Sequence, residues 1–207
     1  MGRSLSGFAP SDNLSAMALL IKAPGFHQRA LPLSVAAWHE MIAKGLAPRR
    51  AELIRGVIIE KMSKSMLHVQ LASALFELLQ TALGMTFWVR KEDPLTLRDS
   101  EPEPDISIVS GRRSDYRTSH PTTAKLVVEV SVSTLADDRE MAEIYAEAGV
   151  EEYWIINAAD RCIEIRRRPS VAGYEMTEVI ASGLVTCTSL PGVSVSIEEL
   201  FANLPSA

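Results

Sequence analysis

Two short apolar segments of this chain each carry one carboxylate, and this feature constrains the fold more than any other. The first segment is PDISIV at residues 104–109, and the second is KLVVEVS at residues 125–131. Both are rich in β-branched residues and bounded by polar ones, which is typical of buried strands. Burying an unpaired carboxylate costs roughly several kcal/mol, so Asp105 and Glu129 each require a partner inside the protein.

Length and composition allow one domain with a substantial core. The chain has 207 residues, of which 47% are hydrophobic and 23% charged, as in an ordinary globular domain. The formal net charge of −5 gives no support to a generally basic nucleic-acid binder, but it leaves room for an enzyme with a local basic groove. Cys162 and Cys187 lack metal-binding spacing, and we interpret them as reduced core residues.

The N-terminal residues do not have the pattern of a targeting segment. Asp12, Asn13 and Lys22 interrupt the apolar residues there, which argues against a signal peptide. No uninterrupted apolar run reaches the ~18 residues of a membrane span. We therefore expect an N-terminal arm over residues 1–30, a single domain over residues 31–207, and a cytoplasmic setting without a membrane.

Hydrophobic periodicity and capping residues predict the order of helices and strands. Helices are predicted from Ser34 to Gly45, from Ser63 or Ser65 to Leu83, and from Asp137 or Asp138 to Ala148, with a short closing helix at 197–201. Gly84 and Gly149 are expected to end the second and third of these helices. Two strands are predicted within residues 51–60, separated by a turn or bulge at Gly56, and further strands at 86–90, 94–98, 104–109, 125–131, 152–157, 162–167, 174–180 and 185–188. This order favours an α/β (α+β) domain whose mixed, largely antiparallel central sheet is flanked by helices.

Asp105 and Glu129 would lie close together if their strands were neighbours in the sheet. Alternate residues of a strand share a face, so Glu129 points to the same side as Val127 and Ser131. Two carboxylates a few ångströms apart repel unless one is protonated or a cation binds. Hard oxygen ligands in a partly open arrangement suit Mg²⁺ or Mn²⁺, which polarise a phosphoryl oxygen and activate bound water. The alternative is structural: Asp105 caps a loop, and Glu129 pairs with an arginine.

Glu52 and His68 are further candidates for the same site. Glu52 stands in an apolar strand, although an exposed acid of an edge strand fits the sequence equally well. His68 falls in the first turn of the long predicted helix, on the face that carries its leucines, where the helix N-terminus disfavours the charged imidazole. Such a histidine orients a water or contacts a phosphate, or else it is a hydrogen-bonded residue at the edge of the core.

Several pieces of the sequence occur in an order that is informative as a set. They are ELIRG at 52–56, SMLH at 65–68, PD at 104–105, VVEVS at 127–131, Tyr145, GVEEYW at 149–154 and LPG at 190–192. Together they resemble the Uma-two-type restriction endonuclease family of the PD-(D/E)XK nuclease superfamily. The resemblance covers roughly residues 50–203, and its most specific piece is the run at 149–154.

The resemblance implies a restriction-endonuclease-like core and hydrolysis of phosphodiester bonds in DNA that depends on Mg²⁺ (or Mn²⁺). It implies that Asp105 and Glu129 are catalytic acids that bind the metal. Glu52 is then the acid that an early segment adds to this metal site, and His68 is the family's histidine at the start of the long helix. Apolar and aromatic strand residues, together with the frequent pairing of such nucleases, favour a homodimer.

One departure from the family pattern concerns its lysine. The superfamily motif has a lysine two residues after the glutamate, where this chain has Ser131, and the family supplies one four residues before the tyrosine, where this chain has Met141. A lysine there would orient or deprotonate the attacking water and stabilise developing charge, which methionine cannot do. Lys125 shares the face of Glu129 but lies about 13 Å away along the strand, too far to replace it.

Two hypotheses about function follow from this departure. The first is a metal-dependent DNA endonuclease that the loss of the lysine has weakened. The second is a catalytically inactive protein with a nuclease fold, which acts in nucleic-acid binding or as an assembly partner.

Overall fold

Helices and strands follow one another almost as the sequence predicts. The structure is a computed structural model that describes residues 30–83 and 85–202, so the expected N-terminal arm lies almost wholly outside the described residues. In chain order the elements are α1 (Val35–Ala43), β1 (Ala51–Ile54), β2 (Val57–Glu60), α2 (Met66–Leu83), β3 (Phe87–Lys91), β4 (Ile106–Ser110), β5 (Leu126–Ser131), α3 (Leu135–Glu147), β6 (Glu152–Asn157), β7 (Cys162–Ser170), β8 (Gly173–Ile180), β9 (Leu184–Thr186), β10 (Ser194–Ser196) and α4 (Ile197–Phe201).

The strand predicted at residues 94–98 is wrong. This segment runs as irregular chain, because its backbone N–H groups bond to two separate loops instead of one neighbouring strand. Those of Leu95, Thr96 and Leu97 donate to the carbonyls of Pro102, Pro121 and Ser100, each at 2.9 Å. Pro94 has no N–H to contribute to a ladder.

The central sheet has six strands in the spatial order β3-β4-β5-β6-β7-β8. Strands β5 and β6 pair in parallel, and every other neighbouring pair in this sheet is antiparallel. A parallel pair requires a crossover connection, which α3 provides. The expectation of a mixed, largely antiparallel sheet flanked by helices is therefore confirmed.

The two faces of β5 belong to different hydrophobic clusters. Leu126, Val128 and Val130 pack in the cluster that contains the leucines of α2. Val127 packs in the cluster that contains Tyr145 of α3. Since alternate residues of a strand share a face, Glu129 points to the side of α3, where its carboxylate reaches an open cleft.

Helix α2 contributes the largest single set of core leucines. Its buried residues are Leu71, Ala72, Leu75, Leu79 and Leu83, whereas Leu78 is half-buried and Ala82 is exposed, because the buried face rotates toward Leu83 at the end of the helix. By length and composition alone, this 18-residue helix is apolar enough to cross a membrane. In the structure its leucines pack in one core cluster with the sheet. Gly84, which was expected to end the helix, lies outside the described residues.

Helix α3 begins earlier than its acidic residues predict. Its N-cap is Thr134, and Asp137 and Asp138 lie inside the first turn. The Thr134 hydroxyl donates to the Asp138 carboxylate at 2.8 Å, so the acid turns back toward the start of the helix. Negative charge at a helix N-terminus is favourable, which offsets part of the cost of placing two acids there. Gly149, with φ +71°, ends the helix as predicted.

Glu152 is a buried acid that joins β6 to the segment after β9. Its carboxylate accepts from the backbone N–H of Thr188 (2.6 Å) and Ser189 (3.2 Å), from Trp154 Nε1 (2.9 Å), from Arg167 Nε (3.2 Å) and from the Thr188 hydroxyl. Burial raises the pKa of this carboxyl, but the Thr188 bonds and the Arg167 charge outweigh it and hold the pKa below its usual range. The fold therefore stabilises the ionised form.

We expect Glu152→Gln to lower the free energy of unfolding by about 2–4 kcal/mol, because an amide –NH₂ would face the donors of Thr188 and Ser189. A depressed pKa stabilises the fold above the unfolded pKa of about 4.5, and that stability is lost as the pH falls. Urea denaturation at pH 7 and pH 4 measures both effects. The difference in the free energy of unfolding between this variant and wild type should be smaller at pH 4 than at pH 7. Glu175→Gln, at an exposed acid of β8, is the matched control. An equal difference at the two pH values would contradict the assignment of Glu152 as an ionised structural acid.

Candidate active site

A cleft of about 820 Å³ opens beside the β4 and β5 strands. The β1–β2 hairpin and the loop that follows it form one wall, and the first three turns of α3 form another. The hairpin turns at Arg55 and Gly56, whose φ angles of 51° and 74° are those of a tight two-residue turn. Asp105 and Glu129 lie in this cleft, so the structure brings the two candidate acids into one cavity.

Asp105 and Glu129 meet because β4 and β5 are antiparallel neighbours. Ile106 pairs with Val128, and one further residue of that register sets Asp105 opposite Glu129. The backbone N–H of Asp105 donates to Glu129 Oε2 at 3.0 Å, and that of Val130 donates to Asp105 Oδ2 at 2.8 Å. The remaining oxygen of Glu129 accepts from the hydroxyl of Tyr145 at 2.9 Å. Glu129 therefore does not take an arginine as the partner that the structural alternative required.

The pKa values of the two carboxyls shift in opposite directions. Burial, together with the charges of Asp105 and Asp138, raises the pKa of Glu129 well above its usual range. Burial also acts to raise the pKa of Asp105, but hydrogen bonds and charge from His68 and Lys64 outweigh it and lower the pKa. Asp105 is thus held ionised, while Glu129 gains most when a cation enters the cleft.

His68 and Lys64 both contact Asp105. His68 Nε2 lies 2.9 Å from Asp105 Oδ1, and Lys64 Nζ lies 2.8 Å from the same oxygen. The Oγ of Ser65 accepts from the backbone N–H of His68 at 3.2 Å, which fixes the start of α2 and the direction of the imidazole. The sequence predicted His68 as a site residue but did not single out Lys64.

Glu52 lines the same cavity from the hairpin wall. Its Oε2 accepts from the backbone N–H of Glu103 at 2.9 Å, and burial raises its pKa despite this bond and the charge of Lys61. In the part of the chain that the structure describes, no three His, Cys, Asp or Glu residues are grouped closely enough to form a ready-made metal cluster. The role of Glu52 as a third metal ligand remains a prediction.

Asp138 is an acid of this site that the sequence suggested only as a helix cap. Burial and the charges of Asp105 and Asp137 raise its pKa to about 6, although hydrogen bonds from Thr134 and Ser131 act in the opposite direction. It stands two helical turns before Tyr145 and on the same face of α3. That spacing is the signal by which the sequence could have assigned Asp138 to the cleft.

The position at which the resemblance implies a lysine lines the cleft. Met141 is half-buried and lines the cavity. Ser131, the other position considered for a lysine, is buried at 2% exposure. Lys125 pairs with Glu151, away from the acids of the cleft, in agreement with the distance argument from its strand.

The two acids fit a divalent cation by their chemistry. Asp105 and Glu129 offer hard carboxylate oxygens at one place in a cavity that is open to solvent, and the raised pKa of Glu129 shows that its negative charge lacks compensation. Mg²⁺ and Mn²⁺ prefer one or two carboxylates and keep several waters, which suits a two-acid site.

The fold and cleft define the protein as a nuclease-like α/β domain. The structure is similar to a crystal structure described as "a putative nuclease belonging to DUF820 from Anabaena variabilis ATCC 29413", with a TM-score of 0.64 and 18% identity over 73% of this chain and 89% of that chain. At this identity the similarity shows the fold alone. The restriction-endonuclease-like core expected from the sequence is confirmed in this sense.

The family is shown by the sequence. Residues 40–199 match the family Uma2, described as "Putative restriction endonuclease", and the chain belongs to this family. No curated protein matches the chain. Membership indicates a restriction-endonuclease-like nuclease, a hydrolase that acts on nucleic acid.

Proposed function

We propose that this protein is a metal-dependent endonuclease that hydrolyses phosphodiester bonds in DNA. The observation that carries the proposal is the meeting of Asp105 and Glu129 in a solvent-open cleft, with the pKa of one lowered and that of the other raised. Opposed shifts of this kind in a cavity are typical of functional sites. Membership of the Uma2 family supports the reaction class.

Each residue of the cleft has a distinct role in such a reaction. Asp105 and Glu129 would hold the Mg²⁺ or Mn²⁺, which would supply a Lewis acid for the phosphoryl oxygen and the attacking water. The Lys64 and His68 contacts keep Asp105 ionised, and the Tyr145 hydroxyl orients Glu129. With a pKa of about 6, Asp138 exchanges a proton near neutral pH, as a general acid or base must.

The second hypothesis, binding without cleavage, is favoured by one observation. Met141 lines the cavity at the position where the family supplies a lysine, so this wall of the cleft carries no ammonium. An inactive protein of this kind would still bind nucleic acid through the basic residues of the opposite wall.

The homodimer expected from the sequence is compatible with both hypotheses. Light scattering that shows a monomer at micromolar concentration would contradict it.

Cleavage assays separate the two hypotheses. We expect the full chain to nick supercoiled plasmid or to cut single-stranded DNA in Mg²⁺ or Mn²⁺, and to stop when EDTA is added. A protein prepared identically with Asp105→Asn excludes a contaminating nuclease. Folded protein that binds DNA but cuts neither substrate with either cation would overturn the endonuclease and leave the binding function.

A further inference from the structure

We propose that Lys64, in the loop before α2, supplies the positive charge that contacts the phosphate in this cleft. Met141, at the position where the resemblance implies a lysine, lines another wall of the same cleft and carries no charge. This inference rests on the endonuclease function proposed above and names the group of that site that contacts the substrate.

The position of Lys64 carries the inference. Its Nζ lies 2.8 Å from Asp105 Oδ1 and 3.1 Å from Glu92 Oε1, and its side chain is 26% exposed. Both Lys64 and Met141 line the same cavity, from different walls. The ammonium group is thus in contact with an acid of the candidate metal site and remains accessible from the cleft.

The other arginine and lysine of the cavity lining pair with acids other than Asp105. Arg55 forms two bonds with the carboxylate of Glu147, at 2.7 and 2.6 Å. Lys61 pairs with Glu103 at 2.5 Å. Among the described lysines and arginines of the cavity wall, Lys64 is the one whose ion pair is with Asp105.

A phosphate diester that enters this cleft meets a concentration of negative charge. Glu52, Asp105, Glu129 and Asp138 all line the cavity. Further negative charge develops on the phosphoryl oxygens as the water attacks, and a fixed donor at that place stabilises the transition state. Lysine, with a compact charge on a flexible four-carbon stem, can bond Asp105 and a phosphate oxygen at once.

Lys64 acts here by charge and keeps its proton. The water oxygen forms a bond to phosphorus while one phosphorus–oxygen ester bond breaks. The water loses one proton, and the leaving oxygen gains one, so that protons and electrons balance without Lys64. This separates its role from that of a base.

The central experiment exchanges the lysine between the two walls. We expect Lys64→Met to lower kcat about 100-fold or more, which is the effect of losing one transition-state donor. Adding Met141→Lys to that variant should restore the rate at least tenfold, because it places an ammonium group on another wall of the same cavity. Lys44→Met, at an exposed lysine paired with Glu40 on α1, is the matched control and should remain within about twofold of wild type.

A second readout needs neither metal nor turnover. In EDTA, the affinity for a short DNA duplex is measured by fluorescence anisotropy between 50 and 200 mM salt. Loss of one phosphate contact should weaken binding and reduce the slope of log K against log salt by about one in Lys64→Met. Lys64→Arg retains the charge, and we expect it to retain the slope and most of the affinity.

The outcomes distinguish this inference from the function on which it rests. Wild-type cleavage that Lys64→Met leaves unchanged would overturn the role of Lys64 and keep the endonuclease. If wild type cuts no substrate, the endonuclease fails, and the metal-free slope alone decides whether Lys64 contacts phosphate. A folded Lys64→Met protein whose slope of log K against log salt equals that of wild type would overturn that contact. A Lys64→Arg protein whose slope falls as far as that of Lys64→Met would overturn it as well. Circular dichroism confirms that each variant is folded.

Discussion

Replacement of Asp105 by asparagine is expected to lower the cleavage rate at least about 1,000-fold and to abolish binding of Mn²⁺. Asp105 Oδ2 accepts from the backbone N–H of Val130, and an asparagine oxygen can keep this bond. The other oxygen would become an –NH₂ group facing Lys64 and His68, with no negative charge to hold a cation. The bond from Val130 is therefore kept while the site loses its ionised acid.

Single-turnover cleavage and calorimetric titration with Mn²⁺ measure the two effects of Asp105→Asn separately. Glu175→Gln, which removes one charge from an exposed position on β8, is the control and should behave as wild type in both assays. An Asp105→Asn protein that binds Mn²⁺ as tightly as wild type would contradict the placement of the metal. Retained cleavage would contradict the placement of the reaction.

The sequence predicts much of the frame of this site from local patterns. The alternation in residues 126–131 assigns the two faces of β5 correctly, and Gly149 ends α3 where the left-handed conformation requires glycine. The register of β4 on β5 then follows from burying both apolar runs, and it sets Asp105 opposite Glu129.

These local patterns do not predict contacts between distant segments. Lys64 lies in a polar loop, 41 residues before Asp105 in the chain, and neither periodicity nor a cap marks it. Residues 94–98 have the composition of a strand, but carbonyls of two loops, at residues 100–102 and at Pro121, accept their hydrogen bonds. In both cases contacts between distant segments determine the local structure, and local patterns in a single sequence do not predict such contacts.

Glu129 and Glu152 show how two similar acids acquire different roles. Both stand in apolar strands that pair with each other, and the sequence around them does not separate them. Glu152 receives donors from four residues, which lower its pKa and make it a structural group. Glu129 receives two donors and faces another carboxylate, which raises its pKa and leaves it in need of a cation. The number of donors around each acid separates structure from function here.

Glu129→Gln is expected to stabilise the metal-free protein at pH 8 while it removes stabilisation by Mn²⁺. The pKa of Glu129 is raised in the folded state, mainly by burial and by Asp105. A carboxyl with a raised pKa binds protons more tightly in the folded than in the unfolded protein, so stability falls as the pH rises above the unfolded value of about 4.5. Glutamine does not titrate, and it can still bond the Asp105 amide and the Tyr145 hydroxyl.

Urea denaturation at pH 5 and pH 8, with EDTA or with Mn²⁺, measures this trade-off between stability and function. In EDTA at pH 8 we expect Glu129→Gln to have a free energy of unfolding on the order of 1–2 kcal/mol above wild type, with a smaller difference at pH 5. Mn²⁺ at 100 times its Kd should stabilise wild type by about 2.7 kcal/mol and the variant by far less. Glu175→Gln should follow wild type throughout. A Glu129→Gln protein that is less stable than wild type in EDTA at pH 8 would show that Glu129 is a satisfied structural acid like Glu152. The absence of stabilisation of wild type by Mn²⁺ would remove the metal from the site.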